Sequence, residues 1–232
     1  MKKGVSLTVK EGSLLREFIF GLNDGLVSTL SLLAGLTGAL ISNNIIILGG
    51  LAEIVAGSIS MGLGAYISTK SEEEFYKSKI ENEKKSIEDI PNIEIKELKE
   101  LYRKKGFNQK EINLIVSKII KHKATWLDTL VHEKIGIGEK FEDPKIMGLV
   151  NGFSFIVGGL FPILPFFFFT SNNPLLLGIL FAVIVLFIIG ALKSKISNKN
   201  WLISGLELSA VCLIAAALSF LAGKLISLIG NL

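Results

Sequence analysis

Residues 70–89 read KSEEEFYKSKIENEKKSIED, an abrupt change to charge directly after a long apolar run. They open a polar block, residues 70–145, that holds most of the 21 acidic residues of the chain. Long apolar segments lie on both sides of this block. Because the charges are gathered in one region instead of being spread over a surface, the sequence predicts a water-exposed insert between two groups of membrane helices.

Five segments are long and apolar enough to cross a hydrocarbon core, which takes roughly 20 residues of helix. Hydrophobic residues make up 50% of the chain, and its mean hydropathy is +0.54. None of the segments alternates in the way of a membrane barrel strand, and a helix satisfies its own backbone in lipid. We predict an all-α integral membrane protein with five transmembrane helices, at about residues 14–40, 45–69, 146–169, 175–192 and 201–229.

The predicted domain boundaries follow from this division, whereas the metal-binding role assigned to the insert rests on its carboxylates. Residues 1–69 form an N-terminal segment with helices 1 and 2, residues 70–145 form a cytoplasmic helical metal-binding domain, and residues 146–232 form helices 3–5. Within the insert, Pro91 is expected to end the continuation of helix 2. Further helices are predicted over about 94–105, from the N-cap Asn108 with its partner Glu111 to about 121, and over 125–135.

Loop charges predict the orientation. Basic residues flank the start of helix 1 and fill the link between helices 4 and 5, whereas the other two short links carry no charge. The positive-inside rule then places the N-terminus, the insert and the basic link in the cytoplasm, and the C-terminus outside. With no cleavable signal peptide or targeting segment apparent, a prokaryotic cell membrane is expected. The basic residues used here are Lys2, Lys3, Lys10, Arg16, Lys193, Lys195 and Lys199.

Several classes of function are disfavoured by composition. The single cysteine, Cys212, excludes an intrachain disulfide and a cysteine-rich metal cluster. With only 2 histidines and no Ser/His/Asp or Cys/His set, the chain is not expected to be an enzyme or to hold a permanent cofactor. The net charge of +4 is small and its basic excess flanks membrane segments, so nucleic acid is not expected as a partner.

Asp24 is the first candidate for function, because an ionisable group inside a membrane helix is costly and usually faces a partner or a water-filled path. At 1.5 Å per residue it lies about 12 Å from the cytoplasmic end of helix 1, and Met61 lies at a similar depth on helix 2. A carboxylate and a thioether at one level suit a borderline cation such as Fe²⁺. The alternatives are that Asp24 only holds two helices together and that Met61 only packs.

Helix 2 offers one more carboxylate. Glu53, Gly57 and Met61 share a face of the helix, so a path from Met61 to Glu53 with an open groove at Gly57 is expected. Glu207 of helix 5 is also inside a membrane segment, but it lies near enough to the cytoplasmic end to extend toward the headgroups.

The insert is rich in carboxylates at helical spacing. Glu94, Glu97 and Glu100 recur every three residues, while Glu74, Glu81 and Glu88 recur every seven on the preceding helix. Bundled helices would bring such groups together to bind divalent ions through oxygen. The alternative is that these are ordinary solvated helix faces with ion pairs. The candidate metal ligands are Glu81, Glu83, Glu94, Glu97, His132 and Glu133.

Two motifs carry a resemblance to a known family. Residues 20–28, FGLNDGLVS, followed by residues 56–62, AGSISMG, resemble the first two membrane helices of the vacuolar iron transporter family. The glutamates that follow Pro91, the turn KKGF at 104–107 and the run GGLFPILP at 158–165 are similar as well.

The resemblance implies a homodimer that exports Fe²⁺, and in some members Mn²⁺, from the cytosol in exchange for protons. It implies that Asp24 and Met61 lie in the transport path near the dimer interface. It also implies that cytoplasmic glutamates capture the metal. Glu94 and Glu97 fit those positions, Glu83 fits by its spacing from Met61, and Glu133 fits more loosely.

The chain departs from the family pattern in two places. Ala65 stands where members often have glutamate, and the Met-rich stretch of the family is LVHE here, residues 130–133. His132 is a candidate substitute ligand, because neutral imidazole suits Fe²⁺ and Zn²⁺. Fe²⁺ is thus the expected substrate, with Mn²⁺, Zn²⁺ or Co²⁺ as other candidates.

The resulting prediction is a divalent-metal/proton antiporter embedded in a lipid bilayer, in which metal and proton compete for the Asp24 carboxylate. Two alternatives remain open from the sequence. One is a metal-regulated membrane scaffold or sensor that does not transport, and the other is a passive cation channel.

Overall fold

The computed structural model describes residues 9–136, 141–169, 173–197 and 200–230. Within these ranges every regular element is helical and there is no strand, which confirms the all-α prediction. Of the basic residues used for orientation, Lys2, Lys3 and Lys199 lie outside the described ranges. The helices are α1 Val9–Gly38, α2 Asn43–Asp89, α3 Pro91–Lys104, α4 Gln109–Ile119, α5 Lys123–Leu130, α6 Pro144–Phe168, α7 Pro174–Ser197 and α8 Trp201–Gly230.

Within the described ranges, five helices are long and apolar enough to cross a membrane, namely α1, α2, α6, α7 and α8. This agrees with the predicted number of spans. The chain divides into two compact units, residues 1–67 with 144–232 and residues 68–143, which we call the membrane unit and the polar unit.

In the membrane unit, α1 packs against α6, α7 and α8. Its side chains at four-residue spacing, Leu22, Leu26 and Leu30, are buried. They meet small and branched side chains on the neighbouring helices, which let the helices approach closely. Those neighbours are Ala182 and Leu186 of α7 and Cys212 and Ala216 of α8.

The crossing of α1 and α6 depends on two glycines. A Cβ atom on Gly158 would lie 2.2 Å from the carbonyl oxygen of Leu22, and one on Gly25 would lie 2.2 Å from the carbonyl oxygen of Phe155. Both obstacles are backbone atoms, which cannot move aside without separating the helices. The two helices are therefore in backbone contact, and α1 is held against α6 at the level of Asp24.

The polar unit has its own small apolar core. One side chain from α2, one from α3 and two each from α4 and α5 are buried together, which fixes how these short amphipathic helices pack. The core residues are Ile87, Leu98, Ile112, Val116, Trp126 and Leu130.

Helix boundaries in the polar unit follow from local chemistry. Pro91 is the first residue of α3, so this helix begins three residues before the predicted start, because proline is favoured at a first helical position. The capping box is confirmed: the Asn108 side chain accepts from the amide of Glu111, and the Glu111 carboxylate accepts from the amide of Asn108. Gly106, with a φ of +93°, ends the preceding turn.

The predicted helix over 125–135 is present in two parts. The α5 helix ends at Leu130, and a π-helical turn, Val131–Ile135, continues it. Gly136 then stops the segment in the left-handed region, with a φ of +75°. Single π turns are rare in proteins, and where they occur they are often near functional sites.

Replacing Asn108 by alanine should destabilise α4 by about 1 kcal/mol, because two amide donors of its first turn lose their cap. Hydrogen–deuterium exchange of the full-length protein should then show roughly fivefold faster exchange in residues 109–119. Asn82→Ala is the matched control, since Asn82 is an exposed residue of α2 and caps no helix. Equal protection of α4 in both variants would contradict the role of the cap.

Candidate metal sites

Three of the predicted metal ligands come together in the polar unit, and they surround a lysine. The Lys134 Nζ atom lies 2.9 Å from a carboxylate oxygen of Glu83, 3.2 Å from one of Glu94 and 2.7 Å from one of Glu97. Glu94 and Glu97 are three residues apart and so share a face of α3, while Glu83 belongs to α2 and Lys134 to the π turn. We call these three residues the carboxylate cluster.

The cluster is partly withdrawn from water. The side chain of Glu94 is 4% exposed, that of Glu83 is 14% exposed and that of Glu97 is 46% exposed. Burial raises the pKa of Glu94 above its ordinary value, while the hydrogen bond and charge of Lys134 act in the opposite direction. A buried carboxylate stays ionised more readily when a cation lies beside it, and here the ammonium group of Lys134 is that cation.

Lys134 is a firmly charged partner. Burial alone would lower its pKa, but hydrogen bonds to Glu97, Glu83 and Glu94 raise the pKa by more, so the net shift is upward. Among the described residues, no group of three or more His, Cys, Asp or Glu side chains has a geometry that would hold a metal ion. The carboxylate cluster is thus arranged around an ammonium group in this structure.

The other predicted ligands of the polar unit are placed apart from the cluster. Glu133 pairs with Lys105, and the imidazole of His132 lies 3.4 Å from a carboxylate oxygen of Asp128. Glu81 is exposed and has no hydrogen-bond or ion-pair partner among the described residues. The structure therefore joins Glu83, Glu94 and Glu97 but not these three.

In the membrane unit, Asp24 lies on α1 with an intermediate exposure. It makes no hydrogen bond or ion pair with any other described residue. The simple structural alternative, that Asp24 ties two helices of one chain together, therefore has no contact to support it. An unpaired carboxylate in a membrane helix is a candidate functional site, because burying such a group without a role is costly.

On α2, Glu53, Gly57 and Met61 are all partly exposed and share a face, as expected from their four-residue spacing. The open groove expected at Gly57 is absent, because the ring of Phe155 fills it. A Cβ atom on Gly57 would lie 2.2 Å from the Cζ atom of that ring. A path from Met61 to Glu53 cannot pass over Gly57 while Phe155 keeps this position.

Sequence reasoning missed Glu17. Its side chain is 14% exposed, and its carboxylate accepts a hydrogen bond of 2.8 Å from the side-chain amide of Asn151, which is itself buried. Glu17 is seven residues before Asp24, so the two carboxylates lie on one face of α1, about 10 Å apart along its axis. That spacing was a readable signal, whereas the partner Asn151 is 134 residues away in the sequence.

The same face of α1 continues beyond Asp24 with hydroxyl groups. Ser28 and Ser31 follow Asp24 by four and seven residues, and their Oγ atoms are buried without a hydrogen-bond partner among the described residues. Buried polar atoms are normally paired, so unpaired ones need an explanation. We call Glu17, Asp24, Ser28 and Ser31 the polar stripe of α1.

Comparison with known proteins shows that the chain is similar to proteins named as transporters along most of its length. The chain is 30% identical over 213 residues to vacuolar iron transporter 1 of Tulipa gesneriana, covering 90% of this chain and 86% of that protein. It is 31% identical over 220 residues to vacuolar iron transporter 1 of Arabidopsis thaliana, covering 93% and 87%. It is 29% identical over 222 residues to protein CCC1 of Saccharomyces cerevisiae, covering 91% and 69%.

These relatives correct one expectation. A location in a prokaryotic cell membrane was inferred from the lack of a targeting segment, and it is contradicted by relatives that are eukaryotic and, in tulip and Arabidopsis, named as vacuolar. That the chain is embedded in a membrane is supported by its five candidate spans. The relatives from the two plants are named as transporters, in agreement with the expectation that the chain is not an enzyme.

The profile of the VIT family matches residues 15–224, which includes all five candidate spans in large part and the whole polar unit. The matched range also contains both groups of candidate residues, the carboxylate cluster and the polar stripe of α1. The resemblance read from the two helix motifs is thereby confirmed, and the chain belongs to the VIT family.

Proposed function

We propose that this chain moves Fe²⁺ across its membrane, out of the cytosol, in exchange for protons. The observation that carries the proposal is Asp24, an ionisable group on a candidate membrane helix with no partner among the described residues. A carboxylate in that position binds either a proton or a metal ion, and the two compete. Membership of a family with iron transporters among its relatives supports metal as the cargo.

The polar stripe of α1 supplies the proposed route. Glu17 lies nearest the end of α1 that the basic residues assign to the cytoplasm, and Asp24, Ser28 and Ser31 follow at successive depths. Metal would pass from one carboxylate to the next and then meet hydroxyl oxygens. Met61, at a depth similar to that of Asp24, adds a soft thioether ligand, which favours Fe²⁺ over harder cations. Mn²⁺ is the proposed second substrate, since it also takes carboxylate oxygen.

The polar unit would collect metal before transport. Glu83, Glu94 and Glu97 all contact the Lys134 Nζ atom, and with that ammonium displaced three carboxylates would form an oxygen ligand set for a divalent ion. The chain would act as a homodimer, with the polar stripes of the two copies near their interface. This homodimer is what the resemblance of residues 20–28 and 56–62 to the family's first two membrane helices implies.

The test is Fe²⁺ uptake by liposomes that hold the purified protein and a trapped pH probe. Exchange predicts that metal entry is accompanied by alkalinisation of the interior, because protons leave as metal enters. Metal entry with no proton movement would replace the proposal with a passive channel. Metal binding with no movement of either ion would replace it with a sensor or scaffold.

Neutralising Glu17 should weaken the capture of metal without removing the path. In Glu17→Gln the side chain still accepts from Asn151, so the fold is kept, but the charge that attracts the cation is lost. We expect the metal concentration for half-maximal uptake to rise about tenfold, equivalent to about 1.4 kcal/mol, with the maximal rate within a few-fold of wild type. Initial rates of uptake at varied Fe²⁺ would measure both quantities.

The matched control is Glu72→Gln, which removes an exposed carboxylate of the polar unit. It should leave the half-maximal concentration unchanged. If Glu17→Gln behaves like Glu72→Gln, the polar stripe does not begin at Glu17.

A further inference from the structure

The carboxylate cluster is built around a cation that belongs to the chain. Lys134 contacts all three of its carboxylates at 2.7–3.2 Å, and they come from two different helices. An ordinary surface ion pair joins two residues and contributes little. Here one ammonium has three carboxylate partners, one of them almost fully buried, and it occupies the space that a metal ion would need in order to reach the same oxygens.

Lys134 and a divalent ion cannot share this point. Metal–oxygen bonds to hard cations are about 2.0–2.6 Å long, so an ion held by these carboxylates would lie where the Nζ atom now lies. The two are also positively charged, and like charges at such a distance repel strongly in a partly buried site. One of them has to leave before the other enters.

Lys134 is able to leave. Its side chain is 34% exposed, and four flexible methylene groups carry the ammonium group, which is readily hydrated. Glu97, at 46% exposed, opens the cluster to solvent on one side. Displacement therefore moves the ammonium into water while the carboxylates stay in place on their helices.

We infer that Lys134 is a tethered competitor of the metal: it fills the carboxylate cluster in the empty state, and a divalent ion binds there only by displacing it. This rests on the proposed capture of metal by the cluster. Lys134 thereby lowers the affinity of the cluster for metal and offsets part of its negative charge between one metal ion and the next. A capture site that must release its cargo to a membrane path benefits from weak binding, since a tightly held ion would not move on.

The test compares Mn²⁺ binding by full-length wild type, Lys134→Met and Lys123→Met in detergent. Free Mn²⁺ is measured by electron paramagnetic resonance, and the binding component that Glu97→Gln removes is assigned to the cluster. Methionine keeps the length and apolar stem of lysine but not its charge. Lys123→Met is the matched control, because within the described part of the chain Lys123 forms an ion pair only with the exposed Glu88, at 3.4 Å.

Competition predicts at least tenfold tighter Mn²⁺ binding to Lys134→Met and no change in Lys123→Met. It also predicts that Mn²⁺ raises the melting temperature of Lys134→Met by more than that of wild type, since at one concentration a tighter ligand stabilises the folded state more. Unchanged or weaker binding by folded Lys134→Met would overturn the inference and leave capture by the cluster intact. If Glu97→Gln removes no part of the Mn²⁺ binding in any of these proteins, the cluster does not capture metal. The proposed capture and the inference about Lys134 would then both be wrong.

A second measurement needs no variant at position 134. Acetylation of lysines in the wild-type protein, followed by mass spectrometry, reports which amines are free. Displacement predicts that Mn²⁺ increases the acetylation of Lys134 and not of Lys123. Protection of Lys134 that persists while the cluster holds metal would overturn the inference, even if Lys134→Met does not fold.

Discussion

Asp24→Asn is expected to lower metal uptake into liposomes on the order of 100-fold and to remove its coupling to protons. The amide keeps the shape of the carboxylate but has no charge to bind a cation and no proton to exchange. Removing one partner of a buried charge pair typically costs roughly 3 kcal/mol or more, and the pair lost here is that of Asp24 with the passing cation. At 1.4 kcal/mol per factor of ten, this is about two orders of magnitude.

The matched control is Glu207→Gln, which neutralises a carboxylate of another membrane helix, α8, that is not on the polar stripe of α1. Its uptake rate and proton coupling should stay within a few-fold of wild type. Because Asp24 has no partner among the described residues, Asp24→Asn should fold at least as well as wild type. Proton-coupled uptake that survives in Asp24→Asn would remove this residue from the path.

Gly158→Ala should remove most of the folded protein. The added methyl group would lie 2.2 Å from the carbonyl oxygen of Leu22 and 3.1 Å from the backbone nitrogen of Leu26, so α1 and α6 would have to move apart. Overpacking of a core typically costs about 1–3 kcal/mol, and more where the obstacle is rigid. We expect about 3 kcal/mol or more here, seen as a large fall in melting temperature and in the monodisperse fraction on gel filtration.

Gly64→Ala is the control for this substitution, since a Cβ atom on Gly64 meets nothing within 4 Å. Both variants gain the same helix propensity from alanine, roughly 0.5–1 kcal/mol, so their difference isolates the contact with α1. Similar melting temperatures for the two would show that the helices do not cross as closely as the structure has them.

The architecture was predictable because it depends on local signals. Long apolar runs predicted the five spans, and Asn108 with Glu111 predicted the start of α4 through two reciprocal hydrogen bonds. The start of α3 was misplaced because Pro91 was interpreted only as a terminator of α2. Proline also favours the first position of a helix, and here it does both.

The candidate sites were only partly predictable, because their contacts join residues far apart in the sequence. The face shared by Glu94 and Glu97 was visible, but the approach of Lys134 from a π turn was not. In the same way, Phe155 fills the groove at Gly57 from another helix, and Asn151 holds Glu17. Helical spacing assigns residues to a face, and it does not say which side chain of a distant element will meet that face.

The π turn at Val131–Ile135 determines which side chain, and so which charge, faces the carboxylate cluster. An α-helix rotates by about 100° per residue. A π turn uses about one residue more than an α turn to complete the same full rotation. If this turn relaxed to α geometry, the register would slip by about one position, and Glu133 would point where Lys134 points now. A rearrangement of a few backbone hydrogen bonds would then exchange an ammonium for a fourth carboxylate, with no change in sequence.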